Sequence, residues 1–115
     1  MPFVDIGQKV RYSPEKLSKV ALCESPRLLF DVYCLEPGQA QKLHAHDGLD
    51  KVYVVQSGRP TVLLGSEERA LDPGQAAYAP AGEPHGVRND TQERATLLVF
   101  QARGPGIVKT GPEKG

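Results

Sequence analysis

Apolar residues in this chain come in short alternating runs, and turn residues close each run. Between positions 27 and 35, Leu28, Phe30, Val32 and Cys34 share one face of a strand, and Asp31 and Tyr33 share the other. The same period of two predicts strands over 20–23, 41–46, 51–55, 61–64, 69–71, 76–79 and 85–88. The last strand, 95–101, is apolar on both faces, with Ala95, Leu97 and Val99 against Leu98 and Phe100. Neither face suits water, so one face is expected to pack on a second subunit. Ser13 as cap and Pro14 at the first position predict a single helical turn over 14–17. Ten prolines and twelve glycines punctuate the runs. Short strands closed by such turns describe an all-β sandwich or barrel. The expected plan is an N-terminal arm over 1–17, a barrel over 18–103 and a loose polar tail over 104–115.

The chain has 115 residues, which suits one domain. A domain of that size buries roughly 65% of its unfolded surface, enough for a core without staples. Lys plus Arg and Asp plus Glu both number 14, so no charge excess points to nucleic acid or a membrane surface. No apolar run is long enough to span a bilayer, and Met1-Pro-Phe-Val-Asp-Ile-Gly7 lacks a signal-peptide pattern. A cytoplasmic protein is expected. Cys23 and Cys34 fall on two strands joined at Glu24-Ser25-Pro26-Arg27. That hairpin register separates them by roughly 20 Å, too far for a disulfide, so both read as reduced core thiols.

The candidate chemistry lies between Gly38 and Asn89. All three histidines, His44, His46 and His85, fall there. Imidazole is the commonest side-chain ligand for transition metals. In a His-x-His pair on a strand, both rings point to one face and can reach one ion. A third histidine on a neighbouring strand completes a three-nitrogen cluster. Three unrelated surface or core histidines are the plain alternative.

The spacing around these histidines resembles the cupin family, whose fold is a jelly-roll barrel or double-stranded β-helix. The family's first motif is Gly, five residues, His-x-His, three or four residues, Glu, six residues, Gly. Gly38, His44, His46 and Gly58 match it, and the Glu position falls on Lys51. The second motif is Gly, five residues, Pro-x-Gly, two residues, His, three residues, Asn. Gly74, Pro80, Gly82, His85 and Asn89 match at every position. The resemblance implies a divalent transition metal (Fe, Mn, Ni, Cu or Zn) with His44, His46 and His85 as ligands. It also implies a homodimer that binds a small molecule. The motif glycines read as turn residues with positive φ, and Asn89 as a backbone partner at a strand end.

Lys51 departs from the family pattern. An inward ammonium ~6 Å from a divalent ion, at an effective dielectric of ~20, is repelled by roughly 5 kcal/mol. Four readings follow. Lys51 extends to the rim with its head in water, and the metal sits on three neutral histidines. Alternatively, Asp50 replaces the Glu, which needs a bulge between Leu49 and Val52. In the third reading no metal binds, and Lys51 joins the histidines in holding an anion. In the fourth, Lys51 is a reactive amine with a depressed pKa. Tyr53 and Val55 share the Lys51 face and line the expected pocket. Tyr53 can donate to a bound oxygen, or be satisfied by backbone; Tyr33 and Tyr78 are weaker candidates for the same role.

Two function classes remain. One is a metal-dependent enzyme acting on a small, anionic organic molecule, in a dioxygenase- or isomerase-like manner, with Lys51 and Tyr53 as catalytic candidates. The other is a non-catalytic cupin that binds a small ligand. Fold alone does not choose between them.

Overall fold

The computed structural model describes residues 3–45 and 47–103. They form one short helix, α1 (Ile6–Lys9), and nine strands. The strands are β1 (Ser18–Glu24), β2 (Leu28–Leu35), β3 (Ala40–His44), β4 (Leu49–Ser57), β5 (Thr61–Leu64), β6 (Glu67–Ala70), β7 (Ala76–Ala79), β8 (His85–Arg88) and β9 (Ala95–Arg103). Two antiparallel sheets result, one in the order β1-β2-β9-β4-β7 and one in the order β3-β8-β5-β6. They face each other as a jelly-roll barrel, as the strand pattern predicts. The expected tail, 104–115, lies outside the described residues. Among the described residues no helix is long and apolar enough to cross a membrane.

The inward rows of both sheets supply the main core: Tyr33, Leu35, Tyr53, Val55, Val62, Leu71, Val87, Leu97 and Val99. A second cluster lies on the outer face of the five-stranded sheet. There Leu22, Val32 and Cys34 are covered by Ile6, Val10 and Tyr12 from the arm, beside Leu98. One apolar face of β9 therefore lines the barrel, and part of the other is covered by the chain's own N-terminal arm. Further along, Phe100 stacks on Phe30 with ring centroids 4.3 Å apart.

Two local expectations are corrected. The helical turn forms at Ile6–Lys9, where Asp5 Oδ1 accepts from Gly7 N at 3.1 Å, and not over 14–17. At 14–16 the chain only bends. The Ser13 carbonyl that would start a helix there accepts instead from Gln39 Nε2 at 2.7 Å. Both cysteines are free, as expected, but only Cys34 is buried; Cys23 is exposed. The β1–β2 register shifts between Ala21 and Cys23. Leu22 follows Val20 into the second cluster by regular alternation, and the bulge after it turns Cys23 outward.

All four motif glycines take positive φ, at +86° (Gly38), +77° (Gly58), +91° (Gly74) and +87° (Gly82). Asn89 is buried, and its Nδ2 donates to the carbonyls of Leu35 (3.3 Å) and Glu93 (2.7 Å), a backbone role as the motif implies. Gly58 is the most constrained of the glycines. A Cβ there would sit 2.5 Å from Arg94 O and 2.8 Å from Ala95 Cα, both backbone atoms that cannot yield cheaply. Strain at positive φ and the overlap act together, so Gly58→Ala is expected to cost about 2–4 kcal/mol. Urea unfolding of the variant beside the wild type checks this, and a loss below about 0.5 kcal/mol would contradict the packing described.

Candidate functional site

β4 supplies the first half of the site. Lys51, Tyr53 and Val55 are buried on its inward face, while Asp50 is exposed on the other. The β4–β9 ladder runs without a shift from Leu49 to Val55. The bulge that would turn Asp50 inward is therefore absent, and Asp50 Oδ1 accepts from Ala81 N at 2.9 Å.

Lys51 is only 1% exposed, so its head does not reach bulk water as the rim reading expects. Its Nζ lies 5.2 Å from the centre of the Tyr53 ring and 5.3 Å from that of Tyr33. Among the described residues no carboxylate comes within ion-pair distance of it. Burial lowers the Lys51 ammonium to about 8, the Lys19 charge pushes the same way, and the Asp31 carboxylate opposes both. Asp31 sits buried on the inward face of β2. Its own carboxyl is raised by burial, against the pull of Lys19 and Lys51.

The tyrosine hydroxyls share one partner. Tyr53 Oη donates to Gln41 Oε1 at 3.0 Å, and Gln41 Nε2 donates to Tyr33 Oη at 3.3 Å. Tyr53 is thus satisfied by a side chain from the facing sheet, not by backbone. Burial pushes Tyr33 up to about 12 and raises Tyr53 as well. Tyr78 points outward and is 56% exposed, away from this cluster.

β3 and β8 supply the second half. Their register shifts between Gln41 and His44, and His44 then falls opposite His85. The shift is possible because Gly86 has no side chain. A Cβ there would lie 2.7 Å from Gln41 O and 3.2 Å from Leu43 N, inside the displaced segment of β3. The His44 and His85 ring centroids are 4.4 Å apart. His44 Nδ1 lies 2.7 Å from Lys42 O, and His85 Nδ1 lies 2.9 Å from Glu83 O. A carbonyl only accepts, so each Nδ1 carries a proton, and the neutral form of either ring has its lone pair on Nε2. Backbone ties of this kind orient histidines that ligate metals. The Tyr53 ring stands 6.2 Å from the His85 ring and connects the two halves. His46 lies outside the described residues. Among the described residues no group of three His, Cys, Asp or Glu side chains is placed to hold an ion.

Residues 31–101 match the Cupin domain family. The chain belongs to the cupin family. Its backbone is similar to the crystal structure of a Thermus thermophilus protein, with a TM-score of 0.87 and 50% identity over 91% of this chain and 100% of that one. A cupin-superfamily sugar phosphate isomerase from Silicibacter pomeroyi is 26% identical, with a TM-score of 0.76 over 90% of this chain and 77% of its own. An uncharacterised protein of Streptomyces coelicolor is 35% identical over 71 residues, which are 60% of this chain. The match spans 65% of that relative's length. Cupin barrels generally bind small ligands, and some of the structural relatives of this cupin are enzymes.

The sequence reading put Tyr53 and Val55 in the barrel interior, left Lys51 open between rim and pocket, and grouped His44 with His85; Lys51, Tyr53 and Val55 are all buried, and the two imidazole rings lie 4.4 Å apart. It missed Gln41, which binds both tyrosines, and it gave no role to Asp31 and Lys19, the charges that act on Lys51. A charged residue on the inward face of an apolar strand was the available signal for Asp31.

The buried lysine makes stability depend on pH. Its folded pKa, about 8, lies below the usual lysine value, so the unfolded chain holds this proton more tightly. Its destabilising effect is full below pH about 8 and fades as pH rises towards about 10.5. Lys51→Met, which keeps the stem's volume, is expected to gain roughly 2 kcal/mol near neutral pH and less near pH 10. Urea unfolding of both proteins at the two pH values reads the difference; an equal gap at both would show that the ammonium is not buried.

Proposed function

We propose that this cupin holds a divalent transition metal (Fe, Mn, Ni, Cu or Zn) on His44, His85 and His46, and that it is an enzyme acting on a small organic anion with dioxygenase- or isomerase-type chemistry. What carries this reading is the His44–His85 pair: two rings 4.4 Å apart, each held through Nδ1 by a backbone carbonyl. That donor set fits a transition ion, because neutral imidazole Nε2 is the form that ligates and its orientation is already set. An ion bound there supplies Lewis-acid or oxygen chemistry at an open position.

The chain's own residues would do the rest. Three imidazoles add no negative charge, and Lys51 stands where the family pattern has a carboxylate. An ion in this setting keeps its full charge, which favours an anionic partner. The similarity to a sugar phosphate isomerase supports the same ligand class. Tyr53, beside His85, is placed to orient a bound oxygen, provided its hydroxyl leaves Gln41. A second reading, metal-free anion binding, is favoured by the buried cation of Lys51.

Metal analysis of protein purified without chelator tests the choice. The expected result is about one equivalent of transition metal, lost in a His44→Ala/His85→Ala variant. Little metal in either protein, even after reconstitution, would sink the metal reading and leave the anion reading standing.

We also propose that the chain forms a homodimer through the outer face of the five-stranded sheet. Phe30, Phe100, Val52 and Tyr78 lie in register across four strands on that face. Tyr78 is 56% and Leu28 38% exposed, so the arm leaves this end of the sheet uncovered. Light scattering should give a dimer mass for the wild type and a monomer mass for Phe100→Ser. A monomeric wild type at high concentration would contradict it.

A further inference from the structure

The two sheets leave a seam where the β1 edge faces the β3 edge. A cavity of about 480 Å³ opens there, lined by Lys16, Leu17, Lys19, Ala40 and Gln41. We propose that this seam is an oxyanion-binding site, in which Lys16 and Lys19 hold a phosphate or carboxylate group against Gln41. It is separate from the histidine pair and does not require a metal there.

The charge distribution points to this. The chain as a whole has zero formal net charge. The seam cavity nevertheless has two lysines and no carboxylate in its lining. Neither Lys16 nor Lys19 makes an ion pair among the described residues. Lys19 Nζ lies 5.2 Å from the centre of the Tyr33 ring, and Lys51 approaches that ring to 5.3 Å. Two cations thus gather around one tyrosine, with Asp31 as the acidic group that acts on both and Lys16 further along the seam. The cavity on the opposite seam, about 260 Å³ between β6 and β7, is a useful contrast. Its two charged residues, Arg69 and Glu67, pair with each other at 3.5 Å and need no ligand.

The wall also suits an oxyanion. The Gln41 amide uses one N–H on Tyr33 Oη, which leaves the second for a bound oxygen. Two ammonium groups and an amide N–H provide the charge-assisted bonds that hold carboxylate or phosphate. Gln41 is also the residue that fixes both tyrosine hydroxyls, so occupation of the seam is felt in the interior.

The test is a titration of the full-length protein with inorganic phosphate and, separately, acetate, followed by backbone amide NMR shifts. Saturable shifts are expected at Leu17, Lys19, Ala40 and Gln41 with at least one of the two. Response to phosphate alone or to acetate alone identifies the preferred group, and either supports the site. A Lys16→Gln/Lys19→Gln variant, altered only at exposed side chains, should keep the wild-type spectrum and bind about tenfold more weakly. His44→Ala/His85→Ala should bind as the wild type does, whatever its metal content. No saturable shift at the seam, shifts confined to the histidine pair, or unchanged affinity in the lysine variant would each overturn the proposal.

Discussion

An ammonium group inside a β-barrel is the constraint on which the rest of this structure depends. Removing a charge from water costs several kcal/mol even after relaxation. The two aromatic faces that Lys51 meets return roughly 1–2 kcal/mol each at best. Asp31 helps from a distance without forming a pair. The balance stays unfavourable, and the downward shift of Lys51 is its expression. Several neighbours are then explained as supports. Tyr33 and Tyr53 must keep their faces towards Nζ. Gln41 holds both hydroxyls and thereby both rings. Gln41 belongs to β3 and the tyrosines to β2 and β4, so the same three side chains tie one sheet to the other.

The histidine pair depends on a different device. Neither ring is positioned by packing alone. His44 faces His85 because β3 slips in register over Gly86, and each Nδ1 is anchored to a carbonyl two residues back in its own chain segment. The orientation of both rings is therefore a backbone property, established before any ligand arrives. That is the preorganisation a ligand set needs if binding is not to be spent on ordering side chains.

Much of this was legible in the chain. The alternation put Lys51, Tyr53 and Val55 on one face of β4, and that face is buried; the turn glycines fell where positive φ is required. Local pattern failed where a distant partner intervened. The helix expected after Ser13 is displaced because Gln39, far along the chain, engages the Ser13 carbonyl. Cys23 left the core because a bulge reversed the alternation beyond Leu22. Whether the Lys51 head reaches water stayed open, since nothing in the local sequence shows that two tyrosines from different strands converge on it. Gln41 escaped notice for a related reason: the register slip between it and His44 breaks the period-two count by which a shared interior face is recognised.

The slip over Gly86 bears on how such a barrel can change over generations. Exchanges among the aliphatic residues of the interior, such as Val62 or Val87, repack the core but leave the strand ladder alone. The packing of the core can therefore drift while the spacing of the two imidazoles is inherited intact. Gly86 itself has no such latitude. A lineage that gains a methyl group there must straighten β3, and His44 would then no longer stand opposite His85.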